Sequence, residues 1–109
     1  MTDAQLFSEI RACRDQLPNA RGVPVLKEAQ RRLQGKSLTR ADLVDRMGVP
    51  TRGEHSESII SWTKGAFKEQ TADSVLVWET YQSPMYWDFW YAVKDGRVVG
   101  SGNWDSPRD

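Results

Sequence analysis

Apolar residues recur at helical spacing along the first half of the chain. Leu6, Ile10, Cys13 and Leu17 stand at i, i+4, i+7 and i+11 and so share one face. Thr2, three residues before Gln5, is a capping-box pair that would open this helix. Pro18-Asn19 and Gly22 mark its break. A second helix is expected from near Pro24, because a missing N–H costs nothing in a first turn. Leu26, Ala29 and Leu33 form its apolar stripe and Gly35 its stop. The third helix, over about 40–47, has the fullest set of signals. Thr39 and Asp42 stand at N-cap and N3, and Leu38 and Leu43 at the positions of a hydrophobic staple. Gly48 can take the left-handed conformation after the last turn, Val49 can fold back on Val44, and Pro50 prevents continuation.

After residue 73 the composition shifts to β-branched and aromatic residues. Strands are expected over Ser74–Tyr81 and Tyr86–Val93, and from Arg97 to about Trp104. Asp95-Gly96 is a strong two-residue hairpin signal, Ser83-Pro84 a looser turn, and Ser106–Asp109 a frayed tail. Between the two regimes, residues 51–73 read equally as an added strand, a short helix or a long packed loop. A structureless loop of that length is uncommon in a compact domain, so some local order is expected. The fold class is therefore α+β. N-terminal helices (1–50) pack on one face of a three-stranded, or with residues 51–73 four-stranded, antiparallel meander (74–105), all in one domain over 1–109.

A two-residue loop at 95–96 pairs Lys94 with Arg97 and sets a register outward: Val93 with Val98, Tyr91 with Gly100, Phe89 with Gly102, Trp87 with Trp104. Aromatic rings over cross-strand glycines would suit that pairing. With a symmetric turn at 82–85, Leu76, Trp78, Thr80, Trp87, Phe89, Tyr91, Val93, Val98 and Trp104 share the face that the helices should cover. The opposite face then carries Val75, Val77, Glu79, Tyr81, Tyr86, Asp88, Trp90, Ala92, Arg97, Val99, Ser101 and Asn103. Glu79 and Asp88 fall directly opposite each other, an unfavourable like-charge pair. Either the turn register differs by two, the preferred reading, or something cationic meets them.

Composition narrows the function. The 109 residues include five Trp, three Tyr and three Phe, enough large apolar area for a folded core. The formal net charge is zero, which gives no global pull toward nucleic acid or anionic membrane. Residues 1–53 nevertheless carry ten basic and six acidic side chains, and residues 54–109 five and nine. Cys13 is the only cysteine, so neither an intrachain disulfide nor a cysteine metal cluster can form, and it reads as a core thiol. His55, beside Glu54 and Glu57, is the only histidine and makes a poor metal site without preorganised companions. There is no glycine-rich phosphate loop or dinucleotide fingerprint. No basic-then-apolar leader opens the chain and no run of about 18 apolar residues crosses a membrane. The expectation is a cytoplasmic, cofactor-free, metal-free protein that is not an enzyme.

The second sheet face is too apolar for a wet surface and too polar for a core, a composition typical of protein contacts. Tyr81, Tyr86, Asp88, Trp90, Glu79 and Arg97 are the candidate binding residues. The partner would be another protein, or a second copy in a homodimer, and one version is a small inhibitor of the immunity type. The same face would equally be explained if residues 51–73 folded back over it. Single-stranded nucleic acid stacking on the aromatics and a dimerising scaffold are the alternatives, the first disfavoured by the acidic surroundings.

Three segments also resemble the SmpA/OmlA (BamE-like) domain. Leu43-Val44-Asp45-Arg46-Met47-Gly48-Val49-Pro50 is similar to its helix and "LGxP" turn, Val77-Trp78-Glu79-Thr80-Tyr81 to its "WxY" strand, and Val93-Lys94-Asp95-Gly96-Arg97-Val98-Val99 to its second hairpin. The resemblance spans residues 38–100, and Trp62 gives another registration of the strand tryptophan. It implies a two-helix, three-stranded α+β fold that binds other proteins, with no catalytic residues. This chain differs in a further helix before the motif, about 20 further residues between Pro50 and the Trp78 strand, and no lipidation cysteine at its N-terminus.

Overall fold

A computed structural model describes residues 1–12 and 19–107. The elements run α1 (Asp3–Ala12), α2 (Asn19–Leu33), α3 (Arg40–Met47), β1 (Glu54–His55), α4 (Ile59–Trp62), β2 (Ser74–Gln82), β3 (Met85–Lys94) and β4 (Arg97–Ser106). The strands form one antiparallel sheet in the order β1-β2-β3-β4. The fold is α+β with helices first, and residues 51–73 supply both a short edge strand and a short helix.

Local signals act where they were expected. The Thr2 N–H donates to Gln5 Oε1 at 2.9 Å and the Gln5 N–H to Thr2 Oγ1 at 3.1 Å, closing the box that opens α1. Leu6, Phe7 and Ile10 are its buried face, while Cys13 and Leu17 lie outside the described residues. In α3 the Asp42 N–H donates to Thr39 Oγ1 at 3.0 Å and the Thr39 N–H to Asp42 Oδ2 at 3.1 Å. Gly48, at φ 80°, donates its N–H to the Val44 carbonyl at 2.7 Å. Val49 does not fold back: it is 79% exposed, and Leu38, Leu43 and Val44 do the packing.

Two helix expectations are corrected. α2 starts at Asn19, so Pro24 lies in its second turn on an exposed face rather than at its start. Gly22 is not a break but a site of close approach. A Cβ there would lie 1.9 Å from Thr80 Oγ1, so only glycine lets α2 settle this near β2.

The sheet follows the two turns and then departs from them. Gln82 pairs with Met85, making the first turn symmetric, and Lys94 with Arg97 and Val93 with Val98 across Asp95-Gly96. Both turn residues have positive φ, 51° and 76°, as a tight hairpin of this twist needs. Beyond Val98 the register shifts by one, Ala92 pairing with Gly100, so Val99 is the extra residue of a β-bulge. Every later side chain of β4 therefore changes face. Trp104 belongs with Trp90, not with Phe89, and Ser101 and Asn103 stand on the helix side. The expected rings over glycines occur with different partners. Trp90 covers Gly102 and Phe67 covers Gly100, each so closely that a Cβ would come within 2.6 Å.

The result is a sheet buried on both faces. The main core joins α1, α2 and α3 to Leu76, Trp78, Phe89, Tyr91 and Val93, with Trp87 and Val98 partly buried at its edge. A second core lies on the other face, where Ile59 and Ala72 meet Val75, Val77, Trp90 and Ala92, flanked by Trp62, Phe67 and Trp104.

Candidate functional site

The six sequence-nominated residues divide. Tyr81 with Tyr86, Glu79 with Asp88, and Val77 with Trp90 are pairs on the second sheet face. The open contact face expected there does not exist along most of its length. Trp90 is 5% exposed and Asp88 is fully buried, beneath the chain from 52 to 72. The physical reason is burial of apolar area: Trp90 meets Phe67 edge to face at 5.9 Å, and Trp104 donates its Nε1–H to the Trp62 carbonyl at 2.9 Å. Tyr81 and Tyr86 are half-buried with ring centroids 4.8 Å apart, at the far end of the β2–β3 hairpin. Arg97 is exposed at the other end of the sheet, its guanidinium 3.4 Å from Ser37 Oγ. It does not join the others.

Glu79 and Asp88 are directly opposite, so the preferred explanation of a register displaced by two is corrected and the cationic one holds. Arg52 is the cation. Its guanidinium binds Asp88 Oδ2 and reaches Glu79 Oε2 at 3.6 Å, while its Cζ lies 4.8 Å from the Trp62 ring. His55 stacks on Trp62 at 4.0 Å, and its Nε2–H donates to the Arg52 carbonyl at 2.6 Å. Since a carbonyl only accepts, that ring nitrogen carries the proton. Beside this stack Glu54, Glu57, His55 and Trp62 border a cavity of about 330 Å³. Arg40, at 2.5 Å, holds the Glu54 carboxyl below its ordinary ionisation range, helped by Ser74. Among the described residues no group of three or more His, Cys, Asp or Glu side chains is placed to hold a metal ion.

The outward sides of β2 and β4, those turned away from β3, are treated differently. The outer edge of β2 is occupied: the Arg52 N–H donates to the Val77 carbonyl, the Val77 N–H to the Gly53 carbonyl, and the Glu79 N–H to Thr51 Oγ1, all within 3.0 Å. On β4 the alternation of the ladder turns the main-chain groups of Val98, Ser101, Asn103 and Asp105 away from β3. Val98 is satisfied, donating its N–H to the Leu38 carbonyl at 2.9 Å where Thr39 bridges to Arg97. Among the described residues none bonds the outward main-chain groups of Ser101, Asn103 or Asp105. A ten-residue strand with an open edge is a template for another strand.

Where Leu38 leaves the edge, a cavity of about 500 Å³ opens between β4 and the α2–α3 connection. Leu33, Lys36, Leu38, Tyr91, Val98 and Ser101 are among its lining residues, one of them cationic and none of them acidic. Tyr91 is 1% exposed and its hydroxyl has no hydrogen-bond partner among the described residues. Burial pushes its ionisation far above the ordinary phenol value, so the group stays a donor. Sequence reasoning missed this edge because the bulge at Val99 decides which residues of β4 face outward. It missed Arg52 too, although the like-charge pair had called for a cation.

Comparison with protein-family models, with curated proteins and with solved structures returns no match to this chain.

Proposed function

We propose that this chain is a non-catalytic protein-binding module, acting in the cytoplasm as a small inhibitor or adaptor of the immunity type. The observation that carries the reading is the inequality of the outward sides of β2 and β4. One is closed by residues 51–55, and the other leaves three residues' worth of outward main-chain groups exposed beside a lined cavity. Main-chain groups of this kind give affinity to an added strand, and neighbouring pockets give it specificity. The resemblance to the SmpA/OmlA domain supports a binding role as well, since what it implies is recognition of proteins without chemistry. Stacking of nucleic acid bases gains no support, because Trp62, Trp90 and Trp104 are already engaged with one another's surroundings.

The test is a photo-crosslinking amino acid placed at Val99, which is exposed beside the open edge. Irradiation in the native host should give one or a few covalent adducts, identified by mass spectrometry and competed away by excess unlabelled chain. Adducts that are not competed, or none at all, would count against a binding module.

A further inference from the structure

Building on that reading, we infer that the slot between β4 and the Gln34–Leu38 connection receives an extended peptide segment of another protein, paired to the β4 edge and carrying a carboxylate. Three independent observations converge on this place. First, the chain itself already adds a strand there: Thr39 bridges to Arg97 in the antiparallel sense and Leu38 accepts from the Val98 N–H. The chain then turns away, and the next outward groups, at Ser101, Asn103 and Asp105, continue the same row without a partner among the described residues. A segment entering the slot would extend a ladder that is already begun.

Second, the slot offers hydrogen-bond donors. Tyr91 is buried with its hydroxyl unpartnered among the described residues, an arrangement that normally costs stability and that a bound acceptor would relieve. The Ser101 N–H points along the same edge. Third, the charge has one sign. Lys36 is exposed and has no ion-pair partner among the described residues, Arg97 stands at the near end of the strand, and no carboxylate lines the cavity. Leu33, Leu38 and Val98 provide an apolar wall for the side chain next to the acid. A basic peptide would meet like charge at Lys36 and Arg97.

The test uses a library of random heptapeptides displayed on phage and panned on the full chain. Ser101→Pro serves as counter-selection, since proline removes an outward N–H while leaving the inward ladder intact. The expected outcome is enrichment of peptides with an Asp or Glu beside an apolar residue. A synthetic peptide of the enriched sequence should shift the amide resonances of Ser101, Asn103 and Lys36, and should bind Lys36→Glu at least tenfold more weakly. Lys36→Glu sits on an exposed loop, so its unfolding temperature should match the parent and a loss of binding cannot be blamed on folding. Enriched peptides that bind Ser101→Pro equally well, or that carry no carboxylate, would overturn the proposal. If the crosslinked adduct at Val99 survives in Ser101→Pro, the module reading stands and only the strand-addition site fails. If no competed adduct forms in the parent chain, the broader reading fails as well.

Discussion

Arg52 and Asp88, 36 residues apart in the chain, are ion-paired at the rim of the second core, with the carboxylate fully buried and the guanidinium partly open to water. This contact explains how β2 and β3 tolerate Glu79 and Asp88 as cross-strand neighbours. One planar cation answers both carboxylates and still rests on the Trp62 ring. It also ties the segment after α3 to the sheet, so that α4 and the chain to Ala72 are held over Trp90. The ion pair and the second core depend on each other.

Removing the cation should therefore cost more than a surface ion pair would. Arg52→Met takes the cation away from a buried carboxylate and is expected to destabilise by roughly 3 kcal/mol. The double variant with Asp88→Leu removes both charges and should recover most of that loss. Urea unfolding of the two variants beside the parent checks this, and a double variant no more stable than Arg52→Met would show that the pairing is not the reason.

Trp90→Ala is expected to destabilise by roughly 3–5 kcal/mol, as for any large aromatic taken from a packed interior. Trp87, half-buried under the Lys27 ammonium at the edge of the main core, should cost less on truncation. Chemical denaturation gives both values. A Trp90→Ala protein as stable as the parent would mean that the chain from 59 to 72 does not cover the sheet in solution.

Much of the fold was legible because its signals are local. The boxes at Thr2–Gln5 and Thr39–Asp42 need only neighbouring donors and acceptors, and Asp95-Gly96 needs only positive φ. Alternation along β2 and β3 then separated Trp78, Phe89 and Tyr91 from Val77, Trp90 and Ala92 correctly. The rest depended on non-local contacts. Nothing near Val99 announces that it is an extra residue, yet that bulge moves Trp104, Ser101 and Asn103 across the sheet. Ile59, Trp62, Phe67 and Ala72 have no helical or strand period, so their shared burial against Trp90 appears only once the chain is folded. Gly22 looked like a break because glycine serves both as a breaker and as a place for close packing, and only the position of Thr80 tells which. The candidate site was legible in part. Glu79 and Asp88 pointed to a missing cation, but the contact surface they seemed to belong to is interior.

Acid should destabilise the protein, and the sign follows from the carboxylates. Two arginines hold Glu28 at about 2, against an ordinary 4.5. Arg40 lowers Glu54, the Asp95 N–H followed by Lys94 lowers Asp73, and the Thr39 N–H lowers Asp42. All four are lower in the folded chain than in the unfolded one, so the unfolded chain takes up protons first as pH falls. Their contribution is complete above about pH 5 and is lost progressively on going below the ordinary carboxylate range. Thermal unfolding should show a level midpoint from pH 7 to about 5 and a steady fall from there toward pH 3. A midpoint that rises over that acid range would contradict the assignment. Added salt should flatten the Glu28 and Asp73 parts, since Arg31 and the Lys94–Asp73 pair are exposed.

Tyr91→Phe separates stability from binding. The hydroxyl is buried and has no partner among the described residues, so deleting it removes an unmet desolvation cost while keeping the ring that meets Trp78 edge to face at 5.5 Å. The variant should be as stable as the parent or more so, by up to about 1 kcal/mol. An ordinary core tyrosine with a satisfied hydroxyl would behave in the opposite way and lose stability. If the hydroxyl is kept because a bound carboxylate accepts from it, the same substitution should weaken binding of the acidic peptide. Denaturation and peptide titration on one preparation read both quantities. A less stable variant would mean that the hydroxyl has a partner in the folded chain, and unchanged peptide affinity would remove Tyr91 from the slot's recognition chemistry.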